Sequence, residues 1–122
     1  MQFTPDMDAT LTLQTASKWT RSVVAAAAAA ILVLNLIDAV FTLAYTQAGL
    51  AVEGNPLMEV VLSRTPVGFV MVKMAIVSLG VLLLWRLQRR RAAVIGMMGA
   101  ATAYFCLFVY HLSEAHRLVA AV

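Results

Sequence analysis

From residue 23 onward the chain alternates long apolar runs with short polar breaks. The first run, Val23 to Thr46, is long enough at about 1.5 Å per helical residue to cross a hydrocarbon layer about 30 Å thick. A polar break, Gln47-Ala-Gly-Leu-Ala-Val-Glu-Gly-Asn55, follows it. Asn55-Pro56 then reads as a helix start: Asn caps, and Pro fits the first helical position, where its missing donor is harmless. A short helix over 56–63 follows, closed by Arg64-Thr65-Pro66. The second long run, Val67 to Leu87, is broken by Lys73 and ends in Trp85-Arg86. The third, Ala92 to Leu112, runs into Ser113-Glu114-Ala115-His116-Arg117. The pattern predicts an all-α fold, a three-helix transmembrane bundle with a short extra helix in the outer connection. Residues 1–22 form an N-terminal tail and 23–122 a single membrane domain. The tail carries Asp6 and Asp8 and no early basic residue, the wrong start for a secretory signal. Asp8 could cap a short helix there, and Thr10-Leu-Thr-Leu13 would equally suit an extended run.

Composition agrees with a bilayer as the solvent. The chain has 122 residues, 62% hydrophobic and 12% charged, whereas an ordinary soluble domain is about one quarter charged. Its net charge of +3 does not point to nucleic acid, because four of the nine cations sit in the run Arg86-Leu-Gln-Arg-Arg-Arg91 beside an apolar helix. Such residues signal topology, with contact to anionic lipid as a secondary role. Lys18, Arg21, Arg86, Arg89, Arg90 and Arg91 share one side, and Arg64 and Arg117 the other. The positive-inside rule therefore places the N-terminus in the cytoplasm and the C-terminus outside, in a cytoplasmic membrane. Trp19 and Trp85 fall at the same inner interface, Tyr45 and Tyr110 at the outer one. Cys106 is alone, so an intrachain disulfide is impossible.

The polar residues inside the runs are the candidate chemistry. Asn35, Asp38 and Thr42 share one stripe of the first helix at steps of three and four, continued by Tyr45. A carboxylate there costs about 3 kcal/mol unless something answers it. Asp38 lies about 10 Å below the outer end of its helix, and Lys73 on the descending second helix lies about 9 Å below the same surface. Opposite charges at matching depth on antiparallel neighbours are expected to pair. On the third helix Ala93, Gly96, Ala100, Tyr104, His111 and Glu114 share a face, small toward the inner side and polar toward the outer. The candidate polar cluster is therefore Asn35, Asp38, Thr42, Glu53, Asn55, Glu59, Lys73, His111 and Glu114.

Each feature also has a plainer reading. Asp38 with Lys73 is a structural lock, or else a charge relay. His111 and Glu114, with His116 nearby, could ligate a divalent metal, or form a solvated pair at a helix end. Glu53-Gly-Asn-Pro56 serves as a cap and turn, and Gly96-Met-Met-Gly99 as a packing surface. Met71, Met74, Met97 and Met98 face lipid or fill gaps and are not copper ligands.

With these residues in place, the chain resembles a family of small bacterial and archaeal integral membrane proteins known as a domain of unknown function. The resemblance rests on Asn-Leu-Ile-Asp-Ala-Val-Phe-Thr (35–42), Glu-Gly-Asn-Pro-Leu-Met (53–58) and Phe-Val-Met-Val-Lys (69–73), within Leu32 to Leu84. It implies that Asp38, Thr42, Glu53, Asn55, Pro56 and Lys73 belong to one unit, and it implies no activity.

Three functions fit. The first is an accessory or scaffold subunit that assembles with itself or with a larger membrane complex around the polar cluster. The second is a metal-dependent membrane enzyme in which Glu53, Glu59, His111 and Glu114 bind a divalent ion and activate water. The third is an oligomeric proton or ion transporter using Asp38 and Lys73. The reading leans away from an enzyme, assigns no catalytic residue, and takes the lipid bilayer and other membrane proteins as partners. No phosphate-binding glycine loop, nucleophile triad or nucleic-acid module is present in the sequence.

Overall fold

Each long apolar run becomes a helix in the computed structural model, which describes residues 6–122. The order is α1 (Met7–Gln47), α2 (Pro56–Arg64), α3 (Pro66–Arg86) and α4 (Arg91–Ala120). No strand occurs among the described residues. The three long helices, α1, α3 and α4, are each long and apolar enough to cross a membrane.

The start expected at Asn55-Pro56 rests on a visible cap, and the stop expected at Thr65-Pro66 doubles as the cap of the next helix. Asn55 Oδ1 accepts from Leu57 N at 3.1 Å and Pro56 opens α2. Thr65 Oγ1 accepts from Gly68 N at 3.1 Å and Pro66 opens α3. That second cap demands glycine at position 68, where an added Cβ would lie 2.1 Å from Thr65 Oγ1.

Two helices exceed their expected spans. α1 begins at Met7 instead of near Val23, so most of the N-terminal tail is helical and Thr10-Leu-Thr-Leu13 is not extended. Asp6, not Asp8, is the cap, and its side chain accepts from Asp8 N at 3.2 Å. Thr12, Thr15 and Thr20 donate their hydroxyls to carbonyls four residues back, which satisfies them inside the helix. The expected tail's residues 1–5 lie outside the described residues. α4 continues past Leu112 to Ala120, because Ser113 donates back to the Tyr110 carbonyl at 2.8 Å and Arg117 pairs with Glu114 at 3.3 Å.

α1 is the hub, packed on both α3 and α4, while α2 rests on α3. Val24, Ala28, Ile31, Asn35 and Asp38 are buried along it in alternating steps of four and three, the spacing that keeps one seam against neighbouring helices. Toward one end, Val24, Ala27, Ala28 and Ile31 pack with Val81 of α3 and Met97 of α4. Toward the other, Ala39 packs with Met58 of α2 and Phe69 of α3. Asn35 and Asp38 therefore occupy core positions between two apolar clusters, and both are almost completely buried.

Candidate functional site

A carboxylate in the middle of a seam must be answered by its neighbours, and here both answer. Lys73 of α3 donates its ammonium to Asp38 Oδ2. His111 of α4 places Nε2 2.7 Å from Asp38 Oδ1. One acid thus ties the hub helix to both partners. The ammonium also lies 5.7 Å from the centre of the Phe69 ring, a cation–π contact.

One turn away along α1 sits a second polar contact. Asn35 donates from Nδ2 to Met74 Sδ at 3.1 Å, and its Oδ1 accepts the Tyr104 hydroxyl at 3.3 Å. α1, α3 and α4 therefore meet twice through polar side chains, at Asn35 and at Asp38. Such contacts set the relative register of the helices, since shifting one by a turn would strand a buried polar group.

The His111 ring is held by aromatic neighbours. Phe41 stacks on it with centroids 5.3 Å apart and planes 11° off parallel. Tyr45 and Tyr110 flank it at 5.9 and 5.8 Å. Tyr45 also donates its hydroxyl to the His111 carbonyl at 3.3 Å. With Nε2 on Asp38, the other ring nitrogen, Nδ1, is buried without a hydrogen-bond partner.

Of the nine residues expected to cluster, Asn35, Asp38, Lys73 and His111 come together as described. The others serve elsewhere. The Thr42 carbonyl accepts from Thr46 Oγ1 at 2.7 Å. Glu53 Oε1 accepts from Asn55 N at 3.1 Å, which with the Asn55 cap makes this segment a turn. Glu59 lies exposed in the first turn of α2, and Glu114 pairs with Arg117. Glu53 and Asn55 do line one cleft with Lys73, beside Phe69 and Ile76. A separate cleft brings Lys73 and Asp38 to Ala103, Tyr104 and Leu107.

The four residues considered as metal ligands fall into two groups. Glu53 and Glu59 line one cleft, His111 and Glu114 another. Among the described residues no three His, Cys, Asp or Glu side chains gather closely enough to share an ion. With His111 Nε2 committed to Asp38, the four do not form a ligand set.

Sequence reasoning missed three participants. Met74 faces inward and accepts a hydrogen bond instead of acting as filler. Phe41 forms a wall of the histidine pocket. Tyr104 stood on the expected face of α4 but was not counted in the cluster. Met74 and Tyr104 were legible as neighbours in spacing, since Met74 follows Lys73 and Tyr104 lies seven residues before His111 on the same side of α4.

Three helices of membrane-crossing length, joined at one buried amide and one shared buried carboxylate, define a class of small helical bundles organised by buried polar contacts. Within that class the chain belongs to DUF5658, a domain of unknown function, which matches residues 29–117. The match reaches beyond the Leu32–Leu84 stretch that carried the resemblance and takes in Tyr104, His111 and Glu114. No curated protein and no solved structure matches the chain significantly.

Proposed function

We propose that this is a multi-pass membrane protein of accessory or scaffold type, which assembles with further copies or with a larger membrane complex. One observation carries the reading: both Asp38 oxygens are occupied, one by each neighbouring helix. A centre closed on itself in this way fixes helix register, and the outer faces of the bundle are left to meet lipid and partners. Those faces are apolar on α3 and α4, with Met71, Ile76, Leu79, Ile95 and Phe105 among the exposed side chains. In the orientation that the cations favour, Lys18, Arg21 and Arg86 to Arg91 are cytoplasmic, and α2 with the end of α4 is outside.

The test is the mass of the protein extracted in mild non-ionic detergent, by size exclusion with light scattering after in-membrane crosslinking. Assembly predicts a defined oligomer or a stoichiometric complex. A crosslink-free monomer, with no companion protein at stoichiometric yield, would sink the scaffold reading.

A second reading is favoured by the cleft that Asp38 and Lys73 line together. A polar centre so placed suits an oligomeric proton or ion transporter that uses those two residues. Proton flux into proteoliposomes that is unchanged by Asp38→Asn would remove it.

A further inference from the structure

The helical tail changes what surrounds the arginine run. Because α1 continues as a helix below its apolar stretch, Ser17, Thr20 and Arg21 lie on one face, at steps of three and four, turned toward the tight α3–α4 connection. There they meet Arg86, Gln88 and Arg89, and the six residues enclose a cleft of 530 Å³. Topology alone requires cations on one side of a membrane. It does not require two separate elements to converge three guanidinium groups on one cavity.

The charge in this cleft is uncompensated. No carboxylate lines it, and among the described residues Arg21, Arg86 and Arg89 form no ion pair. The first turn of α4 carries no acid, and its start at Arg90 has no side-chain cap. Asp6 and Asp8 are the acids nearest along α1, and Asp8 lies about 20 Å from Arg21 at helical rise. Thr20 Oγ1 already donates to the Ala16 carbonyl at 3.0 Å. The donors facing the cavity are therefore the guanidinium groups, the Gln88 amide and the Ser17 hydroxyl. Planar forks of this kind match phosphate oxygens in pairs, which a lysine cluster would not do.

We infer that Arg21, Arg86 and Arg89, with Ser17 and Gln88, form a binding site for a phosphoryl group. Two sources carry that chemistry: the headgroup of an anionic phospholipid, and a soluble phosphate ester. Trp19 and Trp85 flank the site in sequence, and indoles at this level are characteristic of the headgroup region. The lipid source rests on the membrane reading. The site itself does not, since a soluble ester would need no bilayer.

The experiment uses the full chain in non-ionic detergent micelles and follows thermal unfolding, with native mass spectrometry counting bound lipid. Micelles are doped with phosphatidylglycerol or with phosphatidylcholine, and a third sample receives glycerol 1-phosphate. A rise in melting temperature with phosphatidylglycerol, absent with phosphatidylcholine, supports the lipid source. An equal rise with glycerol 1-phosphate supports the soluble one. Loss of each guanidinium should weaken the binding about fivefold, so R21Q/R86Q should weaken it about twenty-five-fold. R90Q/R91Q removes the same charge from the connection but not from the cleft, and should retain most of the affinity. Arg21→Lys keeps the charge without the fork and should fall between. Far-ultraviolet circular dichroism of each unliganded variant establishes that it is folded, and R89Q alone serves if the double variant is not. Equal weakening by R90Q/R91Q, or no response to either phosphate probe, overturns the site.

Discussion

Removing the ammonium from the ionic centre tests the architecture most directly. In Lys73→Met the side-chain length is kept while Asp38 Oδ2 loses its donor. Asp38 is 5% exposed, so its carboxylate depends on side-chain partners and not on bulk water. Stranding one member of a buried pair costs about 3–5 kcal/mol. The lower end applies here, about 3 kcal/mol by the same rule, because His111 still holds Oδ1. For a chain of this size that is on the order of 10 °C in melting temperature. Asp38→Asn should cost less, about 2 kcal/mol, because the Lys73 side chain is 21% exposed and can turn its ammonium toward polar surroundings. The double variant Asp38→Asn with Lys73→Met removes both charges and should recover about 2 kcal/mol relative to the sum of the single losses. The assay is thermal unfolding in detergent, followed by near-ultraviolet circular dichroism. Strictly additive losses would refute the coupling, and so would a Lys73→Met melting temperature within about 2 °C of the parent.

Three further outcomes follow from single contacts. Tyr104→Phe deletes the hydroxyl that reaches Asn35 Oδ1 and should lower stability by about 1 kcal/mol, a shift of a few degrees in the same melt. Asn55→Ala removes the cap of α2 at a cost of about 1 kcal/mol; amide exchange at Leu57, Met58 and Glu59 should quicken while the long helices keep their protection. Gly68→Ala forces Thr65 away from the position where its Oγ1 caps α3, so Thr65→Ala and Gly68→Ala should each lose about 1 kcal/mol, and the two losses should overlap in the double variant, as denaturant titration would show.

The sequence made the architecture legible because the signals for it are local and redundant. Length and apolar content mark the long helices, Asn55-Pro56 marks the start of α2, Arg64-Thr65-Pro66 its end, and Asp38 and Lys73 stand where antiparallel neighbours meet. What could not be read depended on partners distant in the chain or on weak local preference. The tail was ambiguous because threonine suits strands, and only its hydroxyl bonds to carbonyls four residues back make it acceptable within α1. Met74 looked like filler because its acceptor role exists only when Asn35 faces it. Glu53 and Glu59 were gathered into the cluster by chemistry alone, whereas the connection uses Glu53 to close its own turn.

The position of the ionic centre explains why a three-helix chain can hold it. α3 and α4 each pack mainly on α1 and touch one another less, so neither could be fixed by the other. A purely apolar seam would leave α1 free to rotate or slide against both, because aliphatic packing distinguishes registers weakly. Asn35 and Asp38 remove that freedom by requiring Met74 and Tyr104 at one level and Lys73 and His111 at the next. Burial makes the requirement stricter, since stranding a buried charge is strongly destabilising. Specificity of assembly is therefore carried by a few polar side chains on the inside, and the outer faces of α3 and α4 are released from any part in holding the bundle together.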